Sequence, residues 1–147
     1  MLLGEWDEEA LKVCRQNIRR NQLSARVTSL RMDAREKPSR QLGEFDCIVS
    51  NPPYIPTADI ETLDPSVRDH EPHLALDGGA DGLEFYRRIR KGYSCLLNPG
   101  GVLLLETGFD QGAAVSELFA NDGAVSVLSD ICGNDRVVVV EKRLNRG

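Results

Sequence analysis

The segment that most constrains the fold is the apolar run Phe45–Ser50, which is followed at once by Asn51-Pro52-Pro53-Tyr54. Its composition predicts a buried strand, and because proline cannot donate a hydrogen bond to a sheet, the strand must end at Asn51. Pro53 also biases Pro52 toward an extended conformation, which stiffens the turn. The sequence therefore predicts a rigid corner carrying an amide and a tyrosine at the carboxyl end of a strand, where open α/β sheets bind ligands.

The rest of the chain alternates strand and helix patterns, which predicts a single α/β domain over residues 1–147. Asp7 is a good N-cap for a helix that ends near Asn21. The other predicted helices are at 83–97 and 111–121, and the other predicted strands are at 2–5, 27–32, 102–106, 125–129 and 136–141. A turn at 133–135 joins the last two strands into an antiparallel hairpin at the sheet edge.

The longest stretch without a periodic pattern is 55–82, with three prolines and three glycines. Loops of this length are uncommon in compact domains and are often functional, so we expect this one to wall or cover a ligand site. Its apolar residues 74–76 predict that it packs down onto the domain. Residues 36–44 are predicted to form a loop, 98–101 a turn, and the basic tail from Lys142 is predicted to fray.

Composition limits the functional classes. A net charge of −5 argues against a general nucleic-acid surface, and no apolar run approaches the ~20 residues that span a membrane. Cys14 and Cys47 are predicted to be reduced thiols in the core, which suits the cytoplasm. His70 and His73 have no Cys or carboxylate near them at a metal-ligand spacing, so no metal site is predicted.

Acidic residues stand at the ends of two other predicted strands. Glu5 closes the strand at 2–5, and in nucleoside-binding α/β folds a carboxylate at this position accepts hydrogen bonds from ribose hydroxyls. The alternative for Glu5 is a solvated surface residue. Asp33 and Ala34 follow the strand at 27–32, where the carboxylate could reach the amino group of an adenine ring or could serve only as a turn residue.

Asn51-Pro52-Pro53-Tyr54 resembles the catalytic motif of S-adenosylmethionine-dependent methyltransferases that act on nitrogen atoms of planar groups. The nitrogen of an amide or an exocyclic amino group is a poor nucleophile because its lone pair is delocalised. The Asn51 side-chain oxygen and the Pro52 carbonyl would accept its hydrogens and aim the lone pair at the methyl group, while Tyr54 would offer a flat face. The alternative is a turn that only ends a strand.

Further motifs follow the corner through most of the chain. They are V-R-D-H-E-P at 67–72, L-A-L-D-G-G at 74–79, D-G-L at 81–83, Tyr86, P-G-G at 99–101, E-T-G at 106–108 and G-N-D-R at 133–136. Together with the corner they closely resemble the HemK/PrmC family, which methylates the glutamine side chain in the Gly-Gly-Gln loop of peptide-chain release factors. The resemblance implies a class I, Rossmann-like methyltransferase sheet, S-adenosylmethionine as methyl donor, no metal, and a release factor as protein partner.

The resemblance also implies roles for the residues of the corner. Asn51 and Pro52 would bind the glutamine amide, and Pro53 and Tyr54 would shape the pocket around it. Asn51 would lie beside the cofactor as well as the substrate.

On the cofactor side, the resemblance implies that Glu5 binds the ribose and that Asp33 and Ala34 form the adenine edge. Glu5 stands where the family usually has Asp, and Trp6 follows where a smaller apolar residue is usual.

Part of the family pattern has no counterpart in residues 1–147. No G-x-G-x-x-G turn, which would cradle the methionine end of the cofactor, precedes Glu5, and the N-terminal helical domain of the family is not in this sequence. We therefore expect a sheet truncated at its N-terminus, with the first central strand missing between the strands at 2–5 and 45–50. The unpaired backbone at that seam would need to be covered, for example in a homodimer.

Two other functions stay open at the level of sequence. A methyltransferase acting on amino groups of adenine or guanine in nucleic acid uses a similar corner, but base flipping requires a basic approach surface, and the acidic balance and the segment at 71–83 argue against it. The other function is that of a catalytically incompetent fragment, or of a module that binds a partner through the open seam.

The absence of a Gly-rich turn from this sequence generates a prediction about the isolated 147-residue chain. We expect it to bind S-adenosylmethionine weakly or not at all in titration calorimetry, because backbone N–H groups of such a turn hold the end of a dinucleotide-like ligand. Micromolar binding would show that the turn is dispensable.

Overall fold

The strands of the computed structural model, which describes residues 1–144, are divided between two sheets. In the first, two strands pair in parallel: β1 (Leu2–Glu5) and β2 (Thr28–Arg31). The second has four strands in the spatial order β3 (Phe45–Ser50), β4 (Leu97–Glu106), β6 (Asp135–Lys142) and β5 (Gly123–Ser129). β3 and β4 are parallel and β6 is antiparallel to both its neighbours, which confirms the predicted α/β fold with a hairpin at the sheet edge.

The helices lie between the strands. They are α1 (Glu8–Arg20), α2 (Pro65–Arg68), α3 (His73–Leu76), α4 (Glu84–Tyr93) and α5 (Gly112–Phe119). α1 begins as predicted, because the Asp7 side chain accepts a hydrogen bond from the Ala10 N–H at 2.8 Å. The helix buries Leu11 and Ile18 and packs on β1 and β2.

The main core lies between the four-stranded sheet and the helices α4 and α5. Its buried members alternate along the strands and recur at helical spacing: Tyr86, Ile89, Leu97, Leu103, Leu105, Val115, Phe119, Val138 and Val140. Burial of each such apolar side chain contributes about 1.5–3 kcal/mol. This cluster holds β4 rigidly in place, and β4 supports β3 and the corner that follows it.

The prediction that Phe45–Ser50 is a buried strand is wrong in part. The segment is a strand, but Val49 is 71% exposed and Cys47 is exposed. The reason is that β3 pairs only with β4 within residues 1–144, so its other edge is uncovered. The predicted core position of Cys47 is therefore wrong, and Cys14 is half-buried.

A gap separates β1 from β3, where the resemblance predicted an unfilled seam. The gap contains a cavity of about 200 Å³. Gly4 lines it from β1, Ile48 and Ser50 from β3, and Ile89 and Tyr93 from α4. The edge backbone of both strands therefore faces a space that no strand of residues 1–144 occupies.

Residues 55–82 are more ordered than predicted. They contain a 3₁₀ helix, Thr57–Thr62, followed by α2 and α3. The Asp64 side chain caps α2 through the Ser66 N–H at 2.8 Å. The prediction that residues 74–76 pack down holds only for Leu76, which is buried.

Short 3₁₀ segments explain two smaller differences. Arg40–Leu42 forms one turn within the predicted loop at 36–44, capped by Ser39. α4 ends at Tyr93 rather than at residue 97, because Ser94–Leu96 tightens into 3₁₀ geometry before β4 begins.

The ends of β4 and β6 also differ from the prediction. The turn at 98–101 lies inside β4 as a bulge, because Phe45 is opposite Leu97 whereas Cys47 is opposite Val102. Lys142 is not frayed: it belongs to β6 and its Nζ donates to the carbonyl of Ser94 at 3.2 Å. Of the rest of the predicted tail, Arg143 and Leu144 belong to no helix or strand, and 145–147 lie outside the described residues.

The buried ring of Phe119 generates a prediction about stability. Phe119 is fully buried in the main core, whereas Phe109 is 68% exposed. We expect Phe119→Ala to lower the free energy of unfolding by about 3–5 kcal/mol through lost burial and the cavity left behind, and Phe109→Ala to change it by less than about 0.5 kcal/mol. Urea denaturation followed by circular dichroism measures both, and equal losses would contradict this description of the core.

Candidate functional site

The corner after β3 contains two hydrogen-bond acceptors that have no partner within residues 1–144. The Asn51 side chain is exposed, and Pro52 beside it is buried. Neither the Asn51 side-chain amide nor the Pro52 carbonyl forms a hydrogen bond with any other group in residues 1–144. The structure thus places both predicted acceptors next to each other on a proline-fixed backbone at the carboxyl end of a parallel strand.

Tyr54 is held more firmly than the sequence indicates. Its ring is half-buried and packs against the main core, so only part of it is available to a ligand. Its carbonyl accepts a hydrogen bond from the Gln111 side-chain amide at 2.8 Å. A side chain at Gly78 would lie 2.8 Å from Tyr54 backbone atoms, and one at Gly82 would overlap the Tyr54 carbonyl oxygen, so both glycines are required for close approach.

The segment after the corner is fastened to it by backbone hydrogen bonds. The Ile55 N–H donates to the Leu76 carbonyl at 3.1 Å, and the Gly78 N–H donates back to the Ile55 carbonyl at 2.8 Å. Residues 55–82 therefore wall the corner as predicted, through a short parallel bridge between Ile55 and Asp77.

A side-chain contact strengthens this bridge. The Thr57 hydroxyl donates to Asp77 Oδ1 at 2.7 Å, and the Gly79 N–H donates to the same oxygen at 2.9 Å. These hydrogen bonds lower the pKa of the Asp77 carboxyl. Asp77 is thus ionised and structural at neutral pH.

Tyr86, which belongs to the motif set after the corner, is a core residue. Its ring is fully buried, and its hydroxyl donates to the Glu106 carbonyl at 2.8 Å. Burial raises the pKa of this hydroxyl above its ordinary value, so it stays protonated and keeps donating.

Glu5 lies at the carboxyl end of β1, where the sequence places it. Its Oε1 accepts a hydrogen bond from the Asp7 N–H at 2.8 Å. Trp6 follows, 43% exposed, with the Arg31 guanidinium 4.8 Å and that of Arg35 5.9 Å from the ring centroid. These distances are those of cation–π contacts.

Asp33 is less free than the sequence indicates. Its side chain is only 9% exposed, and Arg35 donates to both carboxylate oxygens, at 2.9 Å from Nε to Oδ1 and at 2.7 Å from Nη2 to Oδ2. These hydrogen bonds lower the pKa of the Asp33 carboxyl. A ligand at this position would have to use the remaining lone pairs or the backbone.

The structure brings three of the strand ends to one space. Gly4 of β1, Ala34 after β2 and Ser50 of β3 line the same gap cavity. Asp33 and Trp6 line an adjoining cavity of about 520 Å³, and Tyr93 borders both. Glu5, Asn51 and Tyr54 line neither cavity, so the last residue of β1 and the corner lie beside this space and not inside it.

Gln111 is the residue that sequence reasoning missed. It is a polar side chain that is 9% exposed, and it joins Tyr54 to Gly108 through hydrogen bonds of 2.8 and 3.0 Å. The only signal in the sequence is a glutamine between two glycine-containing segments at the start of a predicted helix, which does not reveal its long-range partners.

Residues 1–144 contain neither a cluster of metal ligands nor a helix that could span a membrane. No group of three or more His, Cys, Asp or Glu side chains is arranged to hold a metal ion there. No helix in that range has the length and apolar character that crossing a membrane requires.

Comparison with known sequences identifies relatives. The Methyltransferase small domain model matches residues 1–78. The chain is 47% identical over 135 residues to "Release factor glutamine methyltransferase" of Caulobacter vibrioides, covering 89% of this chain and 45% of that protein. It is 48% identical over 137 residues to the protein of the same name from Moorella thermoacetica, covering 91% and 47%. The chain thus spans about half the length of these relatives, and the predicted resemblance to them is confirmed.

Solved structures show the same fold. TrmN from Thermus thermophilus matches 96% of this chain and 36% of that one, with 26% identity and a TM-score of 0.64. A methyltransferase from Pyrococcus furiosus matches 97% of this chain and 62% of that one, with 21% identity and a TM-score of 0.67. These likenesses confirm the predicted class I methyltransferase fold, and the chain belongs to the Methyltransferase small domain family.

Proposed function

We propose that this chain carries the substrate corner of an enzyme that transfers a methyl group from S-adenosylmethionine to the side-chain amide nitrogen of glutamine in the Gly-Gly-Gln motif of release factors. One observation supports this most directly: the Asn51 amide and the Pro52 carbonyl are adjacent and unpaired within the described part of the chain. The names of the relatives at 47% and 48% identity supply the substrate class.

The corner addresses the main difficulty of the reaction, which is the low reactivity of a carboxamide nitrogen. The Asn51 Oδ1 and the Pro52 carbonyl oxygen accept the two N–H hydrogens of the substrate and so fix the plane of the amide. When bound, S-adenosylmethionine supplies an electrophilic methyl group on a sulfonium. Transfer would break the methyl–sulfur bond, whose electron pair would stay on sulfur as a neutral thioether, while the C–N bond forms. The positive charge would pass to the nitrogen, and the two acceptors would stabilise it until one proton leaves to water.

The cofactor site is proposed at the ends of β1 and β2. Glu5 keeps one carboxylate oxygen, Oε2, without a hydrogen bond in residues 1–144, which suits a ribose hydroxyl. Asp33 and Ala34 would border the adenine, with Asp33 held in place by Arg35. Asn51 would lie between this site and the substrate. No metal is required by these roles.

The proposed partners and location follow from the substrate. A release factor is a protein that works on the ribosome, so the enzyme is proposed to act in the cytoplasm. The net charge of −5 favours a protein substrate over direct binding to nucleic acid.

The two acceptors generate a prediction for an enzyme that contains this chain. We expect Asn51→Ala to lower kcat for methylation of a release factor by about 10²-fold or more, since one preorganised partner of the developing charge is lost. Transfer of labelled methyl from S-adenosylmethionine to the release factor measures it.

The matched control is Asn121→Ala, an exposed asparagine after α5 that should leave kcat unchanged. Full activity of Asn51→Ala would refute the assigned role. Labelling of nucleic acid, with none of the release factor, would favour the adenine or guanine amino methyltransferase instead.

We also propose that two copies of the 147-residue chain associate through the gap between β1 and β3. The open edge of β3, with Val49 71% exposed, is an unpaired strand of the kind that recruits another chain. A strand or loop of a second copy could satisfy the backbone groups on both sides of the gap.

This association generates a prediction about mass in solution. We expect the 147-residue chain to be a dimer in size-exclusion chromatography with light scattering, and Val49→Lys to convert it to a monomer by placing a charge on the open edge. Leu128→Lys, on the opposite edge strand β5, should remain a dimer. A monomeric unmodified chain would refute closure by a second copy.

A further inference from the structure

The Gln111 side chain ties together three segments around the corner. Its Oε1 accepts a hydrogen bond from the Gly108 N–H at 3.0 Å, and its Nε2 donates to the Tyr54 carbonyl at 2.8 Å and approaches the Gly82 carbonyl at 3.5 Å. Gln111 is the N-cap residue of α5, yet its side chain makes no capping bond to that helix. Both polar atoms of this buried amide therefore form hydrogen bonds to backbone groups outside α5.

The backbone around the Tyr54 carbonyl is packed so closely at two glycines that no added side chain could replace the Gln111 contact. A side chain at Gly82 would overlap both the Tyr54 carbonyl oxygen and the Gln111 amide, and one at Gly78 would lie 2.8 Å from Tyr54 Cα. The Tyr54 carbonyl is therefore enclosed by close-packed backbone, and Gln111 is its hydrogen-bond donor within residues 1–144. Loss of that donor would leave an enclosed acceptor unsatisfied, which favours a shift of the Tyr54 peptide.

A shift of the Tyr54 peptide would also move the Asn51 side-chain oxygen and the Pro52 carbonyl. Pro52 and Pro53 have fixed φ angles, so this part of the chain moves more as a rigid unit than an ordinary loop does. Gly108 follows the end of β4, the neighbour of β3. Gln111 therefore sets the position of the corner relative to the end of the adjacent core strand.

We infer that Gln111 is a positioning residue for methyl transfer: by holding the Tyr54 carbonyl, it fixes the direction in which Asn51 and Pro52 present their acceptors to the substrate amide. This inference rests on the proposed function. Gln111 itself touches neither substrate nor cofactor in this assignment, so its effect should be on the rate of the chemical step and not on cofactor affinity.

The test uses an enzyme that contains this chain, and two variants of it. Gln111→Glu keeps the size and the acceptor for Gly108 but places a carboxylate oxygen against the Tyr54 carbonyl, and Gln111→Met keeps the length without hydrogen bonds. We expect each to lower the single-turnover rate of release-factor methylation by about 10²-fold, the loss that a misplacement near 1 Å causes. The affinity for S-adenosylmethionine should change less than about 3-fold, and Gln41→Glu, on the exposed Arg40–Leu42 turn, should change neither.

A merely structural role predicts a different result. It would reduce the fraction of folded enzyme but leave the rate per cofactor-binding site unchanged, and that result would overturn the inference. So would a parallel loss of cofactor affinity and rate.

Hydrogen exchange separates this inference from the proposed function. In Gln111→Met we expect the amides of Ile55 and Gly78, which join the corner to its wall, to exchange at least about 10-fold faster, while the amide of Val139 in the β4–β6 ladder keeps its rate. If the unmodified enzyme methylates no release factor, the proposed function fails, and the exchange rates still decide whether Gln111 holds the corner. Unchanged exchange at Ile55 and Gly78 would overturn the inference in either case.

Discussion

A proline nitrogen carries no hydrogen, and this constraint shapes the whole site. It ends β3 at Ser50, because neither Pro52 nor Pro53 can continue the sheet ladder. The same rings fix the backbone that follows, so that the Asn51 amide and the Pro52 carbonyl are left without internal partners. A loop of ordinary composition would satisfy or bury such groups, or would let them move. Here they have no partner within residues 1–144, because the proline rings limit the geometries that the backbone can adopt at this point.

The surroundings of the corner are arranged to keep it there. Gly78 and Gly82 let the following segment approach the Tyr54 backbone, and the Gln111 amide donates a hydrogen bond to the Tyr54 carbonyl. The main core includes residues of β4, and β4 pairs with β3, so the core also supports the corner that follows β3. Rigidity at the site therefore comes from packing and hydrogen bonds made by residues far apart in the sequence, while the chemistry itself depends on only two oxygen atoms.

Local signals in the sequence predict much of this structure. The Asp7 cap, the strand before the two prolines and the final hairpin each depend on neighbouring residues, and each is present. The predictions that are wrong concern long-range packing. Cys47 and Val49 look like core residues because composition does not show whether a strand has one neighbour or two. The role of Gln111 is not visible in the sequence, because two of its three partners lie 57 and 29 residues away, beyond any periodic pattern.

The gap between β1 and β3 has a consequence for how the molecule opens. The β1–α1–β2 unit makes its main contacts within itself, and the four-stranded sheet has a separate core. We expect two such units to open as distinct cooperative blocks, each with its own free energy of opening. Any molecule that touches both blocks at once, at Glu5 on one side and Asn51 on the other, would couple their melting into a single transition. Binding of such a molecule would then be detected in calorimetry as a more cooperative transition, even if the molecule undergoes no reaction.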